Sequence, residues 1–205
     1  IYGNMTTDEF EWVDSSLKEW IDLSSWVADG GRSSAVDVKN SGTHGLGWYA
    51  NMDIPRGQIV FTPYKDVKLD FKLQEILSWP QERRRKFFKI SYQVDDEIYN
   101  GYHSDTDISE DKKLDWHLNH SCDPNVAYID KDVVVTIKDL KKGDELVYDY
   151  ATTQCNEKMA MPCNCQSSDC RKVIRGDDWK IVQSKYSLQF FLPYIRRKIL
   201  AEQSK

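Results

Sequence analysis

The sequence predicts an α+β domain that is mostly β-sheet, with helices at both ends. Most of the 205 residues read as short strands separated by turns, and helical periodicity is confined to the two ends and one internal insertion. Strands and helices do not alternate regularly, which argues against a doubly wound α/β fold. The apolar fraction of 40% is normal for a globular chain and supplies a core without disulfides.

The N-terminal part of the chain reads as one helix followed by strands. Apolar side chains recur at helical spacing over residues 8–27, and the pair Gly30 and Gly31 ends this helix. Residues 34–64 read as strands and turns. We therefore expect a helical arm over residues 1–33.

A helical insertion over about residues 65–112 interrupts the strands. A helix over residues 73–79 ends before Pro80, because proline cannot continue a helix interior. Residues 81–89 form a second short helix. Alternating apolar side chains then predict a hairpin over residues 89–102.

The last part of the chain combines a hairpin with two helices. Apolar runs separated by a short acidic turn predict the hairpin over residues 126–137. A helix begins near residues 177–178 and ends at about Tyr186. Pro193 is well placed as the first residue of a last helix that ends near Ala201.

The charge and composition disfavour several classes of protein. The chain has 28 basic and 33 acidic residues, and its net charge of −5 disfavours nucleic-acid binding through bulk charge and suits a cationic peptide. No apolar run approaches the ~20 residues of a membrane span. The chain begins with Ile1 and lacks a signal-peptide pattern, so we expect an intracellular protein, nuclear or cytoplasmic, or a segment of a longer one.

The cysteines predict a metal site. They are Cys122, Cys155, Cys163, Cys165 and Cys170. An odd number of cysteines, with a Cys-x-Cys-x4-Cys cluster, is a poor disulfide framework and is typical of metal ligation in a reducing compartment. The cluster supplies three thiolates, whereas a closed zinc site needs four ligands. The alternative is that these are ordinary reduced thiols, and we interpret Cys155 as structural.

Other segments carry polar, glycine or aromatic residues in unusual combinations. They are Gly45-Leu46-Gly47-Trp48, Asn119-His120-Ser121-Cys122-Asp123-Pro124-Asn125 and Tyr148-Asp149-Tyr150. Glycines let a backbone approach a ligand closely, although most Gly-x-Gly pairs are simply turns. Taken alone, the second segment reads as a turn-rich loop and the third as the end of a strand.

In this order, and followed by the cysteine cluster, these segments resemble the SET-domain protein lysine methyltransferases with a post-SET zinc motif. The resemblance covers about residues 34–175 and implies a β-clip-like SET fold with a pseudoknot, in which the segment from Asn119 to Cys122 lies beneath the last strand. It divides the chain into the arm over residues 1–33, a SET domain over 34–152 with the insertion, a post-SET zinc segment over 153–176 and C-terminal helices over 177–205.

The resemblance also implies an activity and the residues that carry it. The activity is methyl transfer from S-adenosylmethionine to a lysine of a protein or peptide. The implied cofactor-binding residues are Gly45, Leu46, Gly47, Trp48, Asn119 and His120, and the implied Zn²⁺ ligands are Cys122, Cys163, Cys165 and Cys170. Tyr150 is the implied catalytic tyrosine. Tyr148 lies at the position that limits the number of methyl groups added by members of the family, which implies a product with one methyl group or two.

The chemistry agrees with these assignments. A free lysine amine has a pKa of ~10.4 and must lose a proton before it attacks a methyl group, and a narrow apolar channel favours the neutral amine. The sequence shows no dedicated general base, so proton loss to water is the simpler hypothesis. Tyr150 then contributes by orienting the amine.

Two departures from the family pattern leave alternatives open. Trp116 and His117 stand where many members have arginine and phenylalanine, which removes a cofactor contact. The segment Phe61-Thr62-Pro63-Tyr64 resembles the subgroup that methylates non-histone proteins, such as the Rubisco-type methyltransferases, so the substrate is histone or non-histone. The alternatives are a catalytically idle SET module that binds a peptide or partner, and a zinc-stabilised scaffold within a larger protein.

Overall fold

The structure is a computed structural model that describes residues 15–65, 67 and 69–204. Within these residues the strands are β1 (Gly31–Arg32), β2 (Val36–Asn40), β3 (Leu46–Ala50), β4 (Ile59–Thr62), β5 (Asp70–Lys72), β6 (Tyr92–Asp95), β7 (Ile98–Asn100), β8 (Asn119–His120), β9 (Val126–Asp130), β10 (Val133–Thr136), β11 (Glu145–Tyr148), β12 (Ala160–Pro162) and β13 (Val173–Arg175). The helices are α1 (Ser15–Lys18), α2 (Leu73–Ser78), α3 (Gln81–Phe87), α4 (Glu110–Lys113), α5 (Trp179–Val182) and α6 (Pro193–Gln203). Single turns of 3₁₀ helix cover Leu23–Ser25, Leu114–Trp116, Tyr150–Thr152 and Leu188–Phe190.

Small sheets make up most of the fold. One sheet has the strand order β1-β4-β10-β9 and a second has the order β2-β3-β11-β8. A third, β5-β7-β6, comes from the insertion, and β12 pairs with β13 in the cysteine-rich segment. Every residue of β4 and β10 is buried, which explains why these central strands are continuous apolar runs and not alternating ones. The predicted hairpins over residues 89–102 and 126–137 are both present.

The parallel pairing of β8 with β11 is central to the active region. Asn119 lies opposite Val147, and His120 lies opposite Tyr148. The next residue extends this contact, because the Ser121 N–H donates to the Tyr148 carbonyl at 3.0 Å. The Asn119 segment therefore lies beside β11, the strand beneath which it was predicted to pass.

The C-terminal helix is part of the main core. Pro193 is its first residue, as predicted, because proline lacks the N–H that would be unpaired at this position. Tyr194, Ile195 and Ile199 are buried in one core cluster with residues of the first three sheets, and α6 lies against β6. The helix ends at Gln203, close to the predicted end near Ala201.

The predicted helix over residues 8–27 is present over Ser15–Lys18 and wrong over residues 19–27, and residues 8–14 lie outside the described residues. Helix α1 ends at Lys18, and a separate 3₁₀ turn follows. The Asp22 carboxylate accepts a hydrogen bond from the Ser24 N–H at 3.0 Å, which offers the backbone an alternative to the helix. Strand β1 of the predicted arm joins β4, so the arm contributes to a sheet.

The predicted helix near residues 177–186 is shorter than expected. Only Trp179–Val182 is helical, and the Asp178 side chain makes no capping hydrogen bond. Its carboxylate instead pairs with the Arg171 guanidinium, with 2.8 Å between Oδ2 and Nε. Among the described residues, no helix has the length and apolar character needed to cross a membrane.

Candidate active site

Tyr150 lies between two cavities. It follows β11 directly and begins a 3₁₀ turn, which the Asp149 carboxylate caps by accepting from the Ala151 N–H at 3.0 Å. The ring lines an aromatic cavity of about 420 Å³ and also a small cleft of about 20 Å³. Its hydroxyl donates to the Leu118 carbonyl at 3.3 Å. Groups that enter from the two sides therefore meet at Tyr150.

Four tyrosines form one wall of the aromatic cavity. Their rings contact each other in sequence, with centroids 5.2 Å apart for Tyr92 and Tyr128, 5.0 Å for Tyr128 and Tyr148, and 4.9 Å for Tyr148 and Tyr150. Burial, and then the charge of Glu145, raises the pKa of Tyr150 to about 12. Burial also raises the pKa of the other three hydroxyls. All four remain neutral at pH 7, so they form an apolar wall with hydrogen-bonding hydroxyls.

At the small cleft, the Asn119 side chain of β8 contacts β3. The Asn119 amide donates to the Leu46 carbonyl at 2.9 Å and to the Glu145 carboxylate at 2.8 Å. A Cβ at Gly47 would lie 2.3 Å from this carboxylate and 2.8 Å from the Asn119 amide nitrogen, so a larger residue would displace the ends of both side chains and disturb their hydrogen bond. Gly45 has a positive φ of 49°, and a Cβ there would meet nothing within 4 Å, which leaves its backbone open to a ligand.

The predicted cofactor residues are therefore close together, and the contact predicted for Gly45 to Trp48 is made by their backbone. Trp48 is 1% exposed, and its indole N–H donates to the Leu114 carbonyl at 3.4 Å, so this side chain belongs to the core. The open backbone at Gly45, the His44 carbonyl and the Asn119 amide fit the charged amino-acid end of S-adenosylmethionine. The cleft itself has about the volume of one water molecule, so it would have to open further to hold the whole cofactor.

The thiols of the cysteine cluster converge on a position suited to a metal. His120, Cys122, Cys163 and Cys165 each offer a ligand atom, and these atoms lie within 4.8 Å of one another. The Sγ atoms of Cys122 and Cys163 are 3.9 Å apart. Two sulfurs at 2.3 Å from a tetrahedral zinc would be ~3.8 Å apart, so the spacing fits zinc.

Hydrogen bonds prepare the cluster for a metal. Burial acts to raise the pKa of the Cys165 thiol, but hydrogen bonds from the Ser167 hydroxyl and the Cys122 N–H outweigh it and lower this pKa to about 6. The Arg171 N–H also points at the Cys122 sulfur, with 3.4 Å between N and Sγ. Such N–H donors stabilise thiolate, which is the form of cysteine that binds metal. Burial nevertheless raises the pKa of the Cys122 and Cys163 thiols, so binding a metal would have to displace their protons.

The identity of the fourth ligand depends on the His120 ring. Its Nδ1 accepts from the Tyr150 N–H at 3.1 Å, so in the neutral ring the proton is on Nε2, which lies 3.3 Å from the Cys122 sulfur. A nitrogen that carries a proton cannot bind a metal, which argues for Cys170 as the fourth ligand. The Cys170 sulfur is 3.6 Å from the Cys163 carbonyl oxygen, outside the four-residue group but adjacent to it. The predicted role of Cys170 stays a prediction.

A buried ion pair fixes the residue between the two predicted tyrosines. The Arg171 guanidinium binds both oxygens of the Asp149 carboxylate, at 2.6 and 2.7 Å. Its Nε binds Asp178, and the Tyr186 hydroxyl donates to Asp149 at 3.0 Å. Burial acts to raise the pKa of Asp149, but Arg171 outweighs it and holds the pKa below its usual range. The cysteine-rich segment is thus joined to Asp149, the residue between Tyr148 and Tyr150.

The sequence did not predict the role of several residues in this region. Tyr92 and Tyr128 lie in ordinary apolar strand patterns, which carry no signal that their hydroxyls share a cavity. Asp149 and Arg171 carried a weak signal, because each directly adjoins a predicted site residue in the sequence. Their pairing across 22 residues required the structure.

Comparison with known proteins identifies the fold. The model of the SET domain family matches residues 45–151. This chain belongs to the SET-domain family. The predicted SET fold is therefore confirmed.

Several curated relatives of this SET domain are much longer proteins. Histone-lysine N-methyltransferase trr of Drosophila melanogaster is 27% identical over 144 residues, which cover 67% of this chain and 6% of the relative. Human Histone-lysine N-methyltransferase 2B is 25% identical over 153 residues, which cover 68% of this chain and 5% of that protein. The SET domain described here thus spans a small fraction of these relatives. Among solved structures, Arabidopsis thaliana SUVH6 in complex with SAM has a TM-score of 0.49 and 14% identity, covering 67% of this chain and 32% of that one.

Proposed function

We propose that this SET domain transfers a methyl group from S-adenosylmethionine to a lysine side chain of a protein. The position of Tyr150 between the small cleft and the aromatic cavity carries this proposal. Methyl transfer is an in-line displacement, so the donor and the nucleophile must approach the reacting carbon from opposite sides. Relatives named histone-lysine N-methyltransferase support the same activity.

The residues of this chain supply alignment and exclude water. S-adenosylmethionine, when bound, supplies an electrophilic methyl group on a sulfonium centre. Asn119 and the backbone at Gly45 hold the amino-acid end of this cofactor in the cleft. The four tyrosine rings enclose the aliphatic part of the target lysine in the aromatic cavity. The Tyr150 hydroxyl and the Leu118 carbonyl orient the amine at the junction, where holding two reactants in line lowers the barrier.

Tyr148 limits the product, in this proposal, to one or two methyl groups. Its side chain is 4% exposed, and its hydroxyl lies 3.4 Å from the Thr153 hydroxyl. The phenol ring also touches Tyr128 and Tyr150. A hydroxyl placed here retains a water beside the amine and leaves less room for further methyl groups.

Zinc, in this proposal, is held by Cys122, Cys163, Cys165 and Cys170 and has a structural role. Four thiolates close the coordination sphere, so no position remains for a substrate. The substrate is a lysine-bearing protein, histone or non-histone, and a nuclear or cytoplasmic location suits both. The expectation that no nucleic acid is bound rests on net charge alone.

The decisive experiment measures labelled methyl transfer from S-adenosylmethionine to histones and to a whole-cell extract. We expect labelled bands with the zinc-loaded protein and none with Tyr150→Phe. Tyr49→Phe is the matched control, because Tyr49 lies on β3 and lines neither cavity. Transfer that survives in Tyr150→Phe would refute the assignment of Tyr150. No transfer to any protein, with the chain folded, would favour an idle binding module.

A further inference from the structure

We propose that Glu145 is a positioning residue for the cofactor, because it holds the Asn119 side chain with its carbonyl oxygen free to accept from the α-ammonium group of S-adenosylmethionine. This inference rests on the proposed function, in which Asn119 binds the amino-acid end of the cofactor. It adds a residue that lines neither cavity and acts on the cofactor through Asn119.

Glu145 lies where three neighbouring strands meet. It is the first residue of β11 and pairs with Tyr49 of β3. Two residues further along β11, Val147 pairs with Asn119 of β8. Side chains alternate along a strand, so Glu145 and Val147 point to one face while the buried Leu146 between them points to the other. The Glu145 carboxylate can therefore contact side chains of both neighbouring strands.

The contacts of the Asn119 side chain fix the orientation of its amide. The Nδ2 atom lies 2.8 Å from the Glu145 Oε1, 2.9 Å from the Leu46 carbonyl oxygen and 3.3 Å from the His44 carbonyl oxygen. All three neighbours are acceptors, so the nitrogen of the amide and not its oxygen must point towards them. The amide nitrogen carries two protons, and the two shortest contacts use both.

This orientation leaves two acceptors available at the small cleft. Within the described part of the chain, no group donates to the Oδ1 atom of Asn119. The His44 carbonyl has only the longest of the three contacts with the amide nitrogen. Asn119 and His44 both line the cleft. An ammonium group has three N–H donors and no acceptor, so it fits a site with two available acceptors.

The carboxylate of Glu145 is the contact that distinguishes the two orientations of the amide. A hydrogen bond to an ionised acceptor is stronger than one to a neutral carbonyl. A rotated amide would place its oxygen against the carboxylate, and the two oxygens would repel each other. Glu145 forms no ion pair with any described residue, so no cation of this chain weakens the effect. Without Glu145, the rotated amide would present N–H donors to the ammonium group.

Gly47 leaves the space that this contact needs. A Cβ at this position would lie 2.3 Å from the Glu145 carboxylate and 2.8 Å from the Asn119 amide nitrogen. A larger residue would push the ends of these two side chains apart. The absence of a side chain at Gly47 therefore contributes to the orientation of Asn119.

The test measures the binding of two ligands to the zinc-loaded protein by titration calorimetry, without a methyl acceptor. The ligands are S-adenosylhomocysteine and its analogue that lacks only the α-amino group. Glu145→Met keeps the length of the side chain but has no oxygen acceptor. We expect the Kd of S-adenosylhomocysteine to rise about tenfold, at the low end for a hydrogen bond to a charged group. The Kd of the analogue should stay within about twofold, because it lacks the group that Asn119 binds.

Steady-state kinetics give a second measurement. The α-ammonium group takes no part in the displacement and is bound equally before and during it. We therefore expect KM for S-adenosylmethionine to rise about tenfold in Glu145→Met, with kcat unchanged.

Control variants separate this hydrogen bond from a general disturbance of the site. Glu145→Gln retains an oxygen that accepts from Asn119, so its Kd for S-adenosylhomocysteine should stay within about threefold of the wild type. Glu75→Met is the matched control, because Glu75 is exposed on α2 and lines neither cavity. If Glu145→Met fails to fold, Glu145→Ala takes its place.

The outcomes distinguish this inference from the proposed function. Equal losses for both ligands, or wild-type binding of S-adenosylhomocysteine, in Glu145→Met would overturn the positioning role. So would a Glu145→Gln protein that binds as weakly as Glu145→Met. A wild-type protein that binds neither ligand would overturn the proposed function and this inference with it, whereas selective binding without methyl transfer would overturn only the proposed activity.

Discussion

Removing Arg171 tests how strongly the cysteine-rich segment stabilises β11 and the residues that follow it. The side chain of Arg171 is 12% exposed and that of Asp149 is fully buried, and they share two short hydrogen bonds. Arg171→Met keeps much of the side-chain volume but leaves the carboxylate buried without its cation. Breaking a buried pair in this way costs about 3–5 kcal/mol. For a domain of this size the melting temperature then falls by roughly 6–20 °C, at about 2–4 °C per kcal/mol.

The pH dependence sharpens this prediction. In the wild-type fold Arg171 outweighs burial and lowers the pKa of Asp149, so this pair contributes stability above the unfolded-state pKa of about 3.9 and loses it as pH falls through the lower folded value. In Arg171→Met burial acts without that guanidinium, so the pKa of Asp149 rises. Protonation of Asp149 then removes its buried, unpaired charge, so the loss of stability in the variant becomes smaller as the pH falls. The gap in melting temperature between the two proteins should therefore narrow from pH 7 towards pH 4.

Scanning calorimetry at several pH values, with zinc present, measures both effects. Arg175→Met is the matched control, because Arg175 is exposed on β13 and makes no ion pair within the described part of the chain. Its melting temperature should stay within about 2 °C of the wild type, as expected for a surface substitution. The reasoning is refuted if Arg171→Met behaves like this control, or if its deficit grows as the pH falls.

Further predictions concern the metal, the product and the substrate. Metal analysis should find well below one zinc ion per chain in Cys170→Ala, whereas His120→Ala should retain its zinc. The reverse result would make His120 the fourth ligand. Tyr148→Phe should shift the product towards higher methylation states by mass spectrometry, and an unchanged product would contradict the role of its hydroxyl. Lys89 is exposed, lines the aromatic cavity and has no ion pair within the described residues. Lys89→Glu should raise kcat/KM for basic histone-tail peptides about two- to fivefold at low salt, with Lys72→Glu as control; no change would exclude this electrostatic effect.

The sequence predicted the elements whose signals are local. Pro80 and Pro193 fix helix boundaries because proline acts within its own turn, and both boundaries agree with the structure. The prediction of a long N-terminal helix was wrong beyond Lys18, because Asp22 and Ser24 form a local hydrogen bond that the spacing of apolar residues does not reveal. The site also combines local and long-range features. The spacing of the cysteines was visible in the sequence, whereas the contact of Tyr92 with Asp132, 40 residues apart, was not.

The position of His120 links the cysteine-rich segment to Tyr150, so we expect a change in one to affect the other. Its ring accepts from the Tyr150 N–H on one side and donates towards the Cys122 sulfur on the other. The neighbouring pair of Arg171 and Asp149 makes a second link between the same segments. Loss of zinc would free Cys122 and loosen both links, because metal binding contributes directly to the folding of such a segment. Chelation should therefore displace Tyr150 from the junction of the two cavities even though this tyrosine never contacts the metal.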